Sequence, residues 1–404
     1  MQLQCSNAGC GQVLSRGYSA FSCPKCGELL EISSNGFRPD PAQLLGLWSE
    51  RRCSNDPLDR SGVWRFREFL PEYISGEIVT LGEGNTPLIS GNRTAAYADL
   101  NRLQFKHLGW NPTGSFKDLG MTVAMTEARS KGAEVVACAS TGNTAASMAA
   151  YAARAGIRAR VYLPKGRLSR AKVAQSLDYG AEMVEIDGSF DEALALMMNK
   201  PHSSEYFLNS INPFRIEGQK TVMFELMEQL DWLSPDYVVV PGGNLGNSSA
   251  FGKALKELHS VRLIDRVPKI VIVQAAGANP FVQTVATGGK NLTSVANPNT
   301  CATAISIGSP RSWRKALNTL SFTEGLVLDV TDEEILEAKA VIGHDGIGCE
   351  PASATTLAGI KRLRQNSQIA ADDHVIAILT GHVLKDPDII LKMHHDGTAA
   401  RTKQ

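Results

Sequence analysis

Net charge is the first thing this sequence lacks: lysine plus arginine equals aspartate plus glutamate at 41 each in 404 residues. Composition therefore imposes no basic face, which argues against nucleic acid as a primary partner. No uninterrupted apolar run is long enough to span a bilayer, and Gln2, Gln4 and two early cysteines break any signal-peptide pattern after Met1. The expectation is a soluble, cytoplasmic protein with no membrane partner. No Gly-x-Gly-x-x-Gly is present, and no Gly-Lys-Ser/Thr follows the glycine-rich loop at 242–246. Both absences argue against nucleoside triphosphates and dinucleotides. Low-complexity tracts, solenoid periods and charge blocks are missing too, so no long disordered tail is expected beyond the last few residues.

With 43% apolar residues the chain can bury at least one large core and form two or three structural units. Four of its eight cysteines crowd the N-terminus as Cys5-x4-Cys10 and Cys23-x2-Cys26, each pair followed at once by a glycine, Gly11 or Gly27. Tight backbone turns around a tetrahedral ion favour this pattern, which reads as a zinc ribbon, structural because four protein ligands leave no open position. Disulfides, or a ribbon that no longer holds metal, are the alternatives.

Proline-rich residues 35–80 read as a connector, with a helical pattern from Pro41 to Glu50. From Lys131 onward β-rich runs alternate with helical ones: 134–138 then 145–155, 158–163 then 170–179, 182–186 then 190–198. A second set has runs at 237–240, 269–273 and 375–379, a helix at 247–258, and a capping box at 331–334. Strand and helix in alternation imply parallel sheets with right-handed crossovers, here two α/β sheets.

Ligands gather at the carboxyl ends of such strands, and the loops there are chemically unusual. Ser140, Thr141, Gly142, Asn143 and Thr144 open a small-residue helix and suit a carboxylate, or serve as an ordinary helix cap. Gly242, Gly243, Asn244, Leu245, Gly246 and Asn247 read as a phosphate cradle. Thr380 leaves an apolar strand as a hydroxyl. Earlier, Lys117 follows a polar, glycine-bearing turn, 111–116, and enters an apolar helix beginning near Leu119. The positive end of the helix dipole disfavours its ammonium form and leaves a nucleophilic amine, as capture of an aldehyde requires. Amine, carboxylate loop, phosphate cradle and one polar group together match pyridoxal phosphate carrying an amino acid.

These residues carry a resemblance. The Gly84-Asn85-Thr86-Pro87-Leu88 run, the lysine segment and the glycine loop resemble the fold-type II pyridoxal-phosphate enzymes. The stretch 209–220 and Thr380-Gly381-His382-Val383-Leu384-Lys385-Asp386-Pro387 resemble, more narrowly, the threonine synthase family. The resemblance implies an α/β fold of two parallel or mixed-sheet domains plus the zinc-ribbon-like element. We expect the ribbon at 1–34, a large cofactor-binding domain at 35–110 and 212–404, and a small domain at 111–211.

It also implies roles. Lys117 would be the Schiff-base lysine and proton shuttle, with Phe116 beside the ring and Asn143 on the 3′-oxygen. Gly242, Gly243, Asn244, Leu245 and Gly246 would hold the cofactor phosphate through N–H groups, and Thr380 would meet the pyridine nitrogen. A hydroxyl there, unlike a carboxylate, would leave that nitrogen unprotonated. Ser140, Thr141 and Thr144 would take the substrate carboxylate. Asn209, Ser210, Arg215 and Asn247 would bind the substrate phosphate; a planar guanidinium suits that oxyanion, although a surface ion pair of Arg215 with Glu217 is the ordinary alternative. The implied activity converts O-phospho-L-homoserine and water to L-threonine and phosphate in a homodimer. A β-replacement enzyme using O-phosphoserine, a serine/threonine dehydratase and a catalytically silent homologue are the rivals. Leu119 where arginine is frequent, Val383 where glycine is usual, and the wide first cysteine pair depart from the family pattern.

Overall fold

Runs rich in valine and isoleucine form strands that are buried on both faces once crossover helices cover the sheet. The computed structural model describes residues 1–33, 39–140, 142–165, 170–187 and 205–395. Two units result, Met1–Asn85 with Asn111–Thr221, and Thr86–Trp110 with Val222–Gln404. Among the described residues no helix is long and apolar enough to cross a membrane.

The chain opens with a small antiparallel sheet of β1 (Gln2–Cys5), β2 (Val13–Leu14) and β3 (Leu30–Ser33), in the order β2-β1-β3 with Cys5 opposite Leu30. Next come β4 (Leu88–Ser90) and β5 (Arg102–His107), which belong to the second unit. Strands β6 (Val135–Ala139), β7 (Arg158–Pro164), β8 (Glu182–Ile186) and β9 (Glu205–Phe207) form the sheet of the first unit, all parallel, in the order β8-β7-β6-β9.

The second unit adds β10 (Tyr237–Pro241), β11 (Lys269–Ala275), β12 (Leu326–Val330) and β13 (His374–Leu379). Its order is β12-β11-β10-β13-β5-β4, parallel except for β4 at the edge. Val238 to Val240, Ile270 to Val273 and Val375 to Leu379 are fully buried, as continuous rather than alternating apolar runs require. The capping box holds: Thr331 Oγ1 accepts from the Glu334 N–H at 3.3 Å, and the Glu334 carboxylate accepts from the Thr331 N–H at 2.7 Å. The helix expected at 190–198 lies outside the described residues.

One expected division differs. Residues 39–85 pack with the first unit rather than with the larger one, because their polar and aromatic groups find partners there. The buried Trp64 indole donates to Thr122 Oγ1 at 2.8 Å, the Val79 N–H donates to Thr126 Oγ1 at 3.0 Å, and Lys220 Nζ donates to the Phe69 carbonyl at 2.7 Å. The second boundary falls inside the helix Pro213–Gln229, which starts in the first unit and ends in the second.

Candidate active site

In the first unit, the turn before Lys117 uses its polar groups locally. Thr113 donates its N–H and its hydroxyl to the Asp118 carboxylate at 2.7 and 2.6 Å, and Asn111 Oδ1 accepts from the Gly84 N–H at 2.8 Å. Helix Lys117–Ser130 begins at the lysine itself, two residues before the expected start, with no side-chain cap. Lys117 is half-buried, its Nζ 3.9 Å from the Phe116 ring centroid. Burial pushes the Asp118 carboxyl up to about 6 against the pull of the Thr113 donors.

Helix Pro213–Gln229 crosses the lysine helix where glycine faces glycine. A Cβ on Gly218 would collide with the Leu119 carbonyl oxygen, and one on Gly120 would sit 2.7 Å from the Arg215 carbonyl oxygen. Only glycine tolerates this approach, which brings Arg215 against the lysine helix. The Arg215 side chain is fully buried, with Nη1 donating to the Leu208 carbonyl at 3.2 Å and Nε without a partner. No carboxylate pairs with it among the described residues. Glu217, the ordinary candidate, pairs with Lys220 at 2.7 Å instead. Burial lowers the guanidinium to about 10, with only the neighbouring Cys138 pulling the other way.

Because β6 and β9 are adjacent and parallel, the residues after them emerge at one sheet edge, Ser140, Asn143 and Thr144 after the first, Asn209 and Ser210 after the second. Ser140 Oγ accepts from the Gly142 N–H at 3.2 Å, and the helix Asn143–Ala155 starts behind Gly142 with no side-chain cap, so Ser140 is not the ordinary cap. Thr141 lies outside the described residues. The Asn209 amide is committed to Ala139, accepting its N–H and donating to its carbonyl, both at 3.2 Å. It holds the end of β6 and thereby the Ser140 turn. Ser210 is half-buried beside it.

In the second unit, β10 and β13 are likewise adjacent and parallel, so the glycine loop and Thr380 leave from one edge. Gly242 lies against β11: a Cβ there would be 2.8 Å from Ile272 Cγ2 and 2.9 Å from Gln274 Cγ. Its N–H, expected to face a phosphate, donates to the Val273 carbonyl at 2.7 Å. The N–H groups of Gly243, Asn244, Leu245 and Gly246 have no partner among the described residues. Leu245 takes a left-handed conformation (φ +63°) at the start of the helix Gly246–Ser260, and Asn244 is anchored by the N–H groups of Arg311 and Ser312, each at 3.3 Å. Asn247 is buried with Oδ1 unpartnered. Thr380 is buried, its hydroxyl donating to Glu350 Oε1 at 2.9 Å and lying 3.1 Å from Ser353 Oγ.

Asp118, Glu350 and Ser353 were given no role in the sequence reading. Asp118 closes the lysine motif, but a carboxylate in a helix's first turn reads as a dipole partner, and Glu350 before Pro351 reads as a helix start.

The Sγ atoms of Cys5, Cys10, Cys23 and Cys26 all lie within 4.8 Å of one another. Cys5–Cys26 and Cys10–Cys23 are 3.4 and 3.7 Å apart, far beyond a bond of about 2.05 Å, so these thiols are not disulfides. Gly11 (φ +63°) and Gly27 (φ +74°) make the expected turns. Burial pushes Cys5 up to about 12, whereas Cys23, burial notwithstanding, is drawn down to about 7 by the N–H groups of Cys26 and Lys25 and by the other thiols. Arg16, between the two cysteine pairs, donates to the Glu127 carboxylate on the lysine helix at 2.6 Å.

A family model described as pyridoxal-phosphate dependent enzyme matches residues 79–381. A threonine synthase from Methanocaldococcus jannaschii is 43% identical over 385 residues, 95% of this chain and 93% of that protein. One from Methanosarcina acetivorans is 42% identical, covering 96% and 94%. Among solved structures, a diaminopropionate ammonia lyase from Escherichia coli superimposes with a TM-score of 0.66 at 17% identity, covering 95% and 96%. That last likeness speaks for the fold alone.

Proposed function

The chain belongs to the pyridoxal-phosphate dependent enzymes, among the threonine synthases, and from that premise we propose that it converts O-phospho-L-homoserine and water into L-threonine and phosphate. The cofactor fits the residues present. Four free N–H groups at 243–246, at the head of a helix, suit its phosphate, and the tight fit of Gly242 against β11 leaves no room for a side chain beneath it. Asn143 would meet the 3′-oxygen, Phe116 the ring and Thr380 the ring nitrogen. When bound, pyridoxal phosphate supplies an aldehyde for an amine and a ring that takes up the charge left on Cα.

Lys117 Nζ would take the Cα proton and hand protons on at Cβ. Asp118 and Thr113 brace its turn, since each oxygen of the buried carboxylate accepts from Thr113. Ser140, Thr141 and Thr144 would bind the substrate carboxylate, with Asn209 setting their turn. Across the reaction the Cγ–O bond breaks, phosphate leaves, and water adds at Cβ.

The observation that carries the choice of a phosphorylated substrate is Arg215, a fully buried guanidinium with an orphan Nε and no carboxylate partner among the described residues. Such a group is costly unless an anion visits it, and Ser210 would add a donor. The test supplies O-phospho-L-homoserine, O-phospho-L-serine, serine and threonine in turn. Threonine and phosphate from the first support the reading; pyruvate or 2-oxobutyrate from serine or threonine would replace it with a dehydratase. We further assign a structural zinc ion to Cys5, Cys10, Cys23 and Cys26 on the strength of four converging soft donors. A homodimer in the cytoplasm follows from the resemblance, and sedimentation of the loaded protein tests the assembly.

A further inference from the structure

We propose that the loop between the two cysteine pairs couples zinc in the ribbon to the substrate-phosphate site, with Arg16 as the positioning residue, so that metal retention and phosphate binding strengthen each other. The inference rests on the readings above, in which Cys5, Cys10, Cys23 and Cys26 hold zinc and Arg215 meets the substrate phosphate. All of these residues lie in the first unit. Apart from cysteines, the ribbon buries few apolar side chains among the described residues, namely Leu3, Leu29, Leu30 and Ile32, and its strand β2 is only two residues long. A core this small does not order a loop by itself. The metal then supplies the folding energy and decides whether residues 11–22 keep their shape.

That loop is seated on the elements that carry the site. Arg16 Nη2 donates to Glu127 Oε2 at 2.6 Å, in the last turn of the lysine helix. Glu127 is buried there; the Tyr73 hydroxyl donates to the same oxygen at 2.9 Å, and Lys131 pairs with the other at 3.3 Å. The Arg16 guanidinium also lies 4.6 Å from the Tyr73 ring centroid and 5.8 Å from that of Phe214, the residue before Arg215 in the first turn of the helix Pro213–Gln229. Phe21 packs edge-on against Tyr206 at 5.9 Å, in β9, the strand that leads to Asn209 and Ser210. The loop thus touches the end of the lysine helix, the start of the arginine helix and the strand before the 209–210 turn. Glu127 is about 15 Å along its helix from Lys117, and Asp118 to Ala128 are all buried, so close packing makes that helix move as one body. A folded loop favours one placement of these elements, and phosphate bound to that placement favours the folded loop. Such coupling is reciprocal: the factor that metal adds to phosphate affinity, phosphate adds to metal affinity.

The experiment uses the full chain loaded with zinc and pyridoxal phosphate and titrates it with a chromogenic zinc chelator, with and without inorganic phosphate. Phosphate should raise the chelator concentration that strips half the zinc by about fivefold or more in the unsubstituted protein, and by less than about twofold in Arg16→Met and in Arg215→Met. Glu127→Gln, which keeps the volume and removes the charge that Arg16 meets, should behave as Arg16→Met does. No shift in the unsubstituted protein overturns the proposal, as does an equal shift in Arg16→Met or Arg215→Met. Should Arg16→Met fail to fold, Glu127→Gln and the unsubstituted titration decide. Zinc content by plasma mass spectrometry and phosphate binding by equilibrium dialysis separate this from the parent readings. Absence of zinc sinks the metal assignment, absence of bound phosphate sinks the role of Arg215, and either takes the coupling with it; a protein that binds both without a shift sinks the coupling alone.

Discussion

Replacing Arg215 by methionine should stabilise the protein while removing its grip on the substrate. Burial lowers this guanidinium from 12.5 to about 10. At neutral pH both folded and unfolded chains carry the proton, so the whole shift is a cost to the folded state, relieved only as pH climbs past the folded value. At about 1.4 kcal/mol per unit, the penalty is about 3 kcal/mol. Methionine fills a similar path, and the one lost hydrogen bond, to the Leu208 carbonyl, gives back about 1 kcal/mol. The net expectation for the cofactor-free protein is a gain of about 2 kcal/mol, read as a higher urea midpoint with an unchanged slope. Inorganic phosphate should then raise the midpoint of the unsubstituted protein, by about 2.7 kcal/mol at a hundredfold excess over its Kd, and leave Arg215→Met unmoved. For O-phospho-L-homoserine kcat/KM should fall roughly 10- to 100-fold, the worth of a charged hydrogen bond, with part of the loss in kcat. A variant that loses more than a kilocalorie of stability, with phosphate protecting both proteins equally, would show that Arg215 is architecture and not a phosphate ligand.

Lys117→Ala should abolish both the visible cofactor absorbance and turnover while leaving the far-ultraviolet circular dichroism intact. Gly242→Ala forces a Cβ within 2.8 Å of Ile272 Cγ2; overpacking of about 1–3 kcal/mol should weaken cofactor binding at least tenfold in a fluorescence titration. Cys26→Ser should drop metal content, measured by plasma mass spectrometry, from one zinc per chain toward none and lower the melting temperature, an effect that chelator should reproduce in the unsubstituted protein. Asp118, raised from 3.8 to about 6 by burial, contributes stability that is complete below pH 4 and lost as pH rises through 6, about 3 kcal/mol in all. Asp118→Asn should flatten that part of the pH–stability curve, and an unaltered slope would exclude the carboxylate as its source.

How much of this was legible in the residues depended on whether the signal was local. The continuous apolar runs at 237–240 and 375–379 announced buried parallel strands, and the capping box at Thr331 announced a helix, because each needs only neighbours in sequence. Strand β5, Arg102–His107, carries no such local signal: Arg, Gln, Lys and His suit a solvated segment, yet Lys106 is fully buried, contacting the Glu225 carboxylate and donating to the Thr86 carbonyl at 2.7 Å. Those partners lie 20 and 119 residues away, and no periodicity encodes them. The same holds for the site. Lys117 and the glycine loop were readable as motifs, whereas the commitment of Asn209 to Ala139, the engaged N–H of Gly242 and the Glu350–Thr380–Ser353 network exist only once separate strands and helices are folded together.

The two phosphates in the proposed reaction call for different physics, and the chain supplies different devices for them. The cofactor phosphate stays through every turnover, so many weak, fixed dipoles suffice, and in the proposed reading the N–H groups at 243–246 would provide these with little to reorganise. The substrate phosphate must leave. Negative charge grows on the Cγ oxygen as its bond to carbon breaks, and an interaction that strengthens with that charge accelerates the step, whereas one that binds substrate and departing group alike does not. If Arg215 is the ligand proposed, a guanidinium held in a low-dielectric interior, with no carboxylate pairing it among the described residues, would meet this requirement, because its field would act little diminished where the charge appears. The stability forfeited at Arg215 is on this view the source of its catalytic advantage.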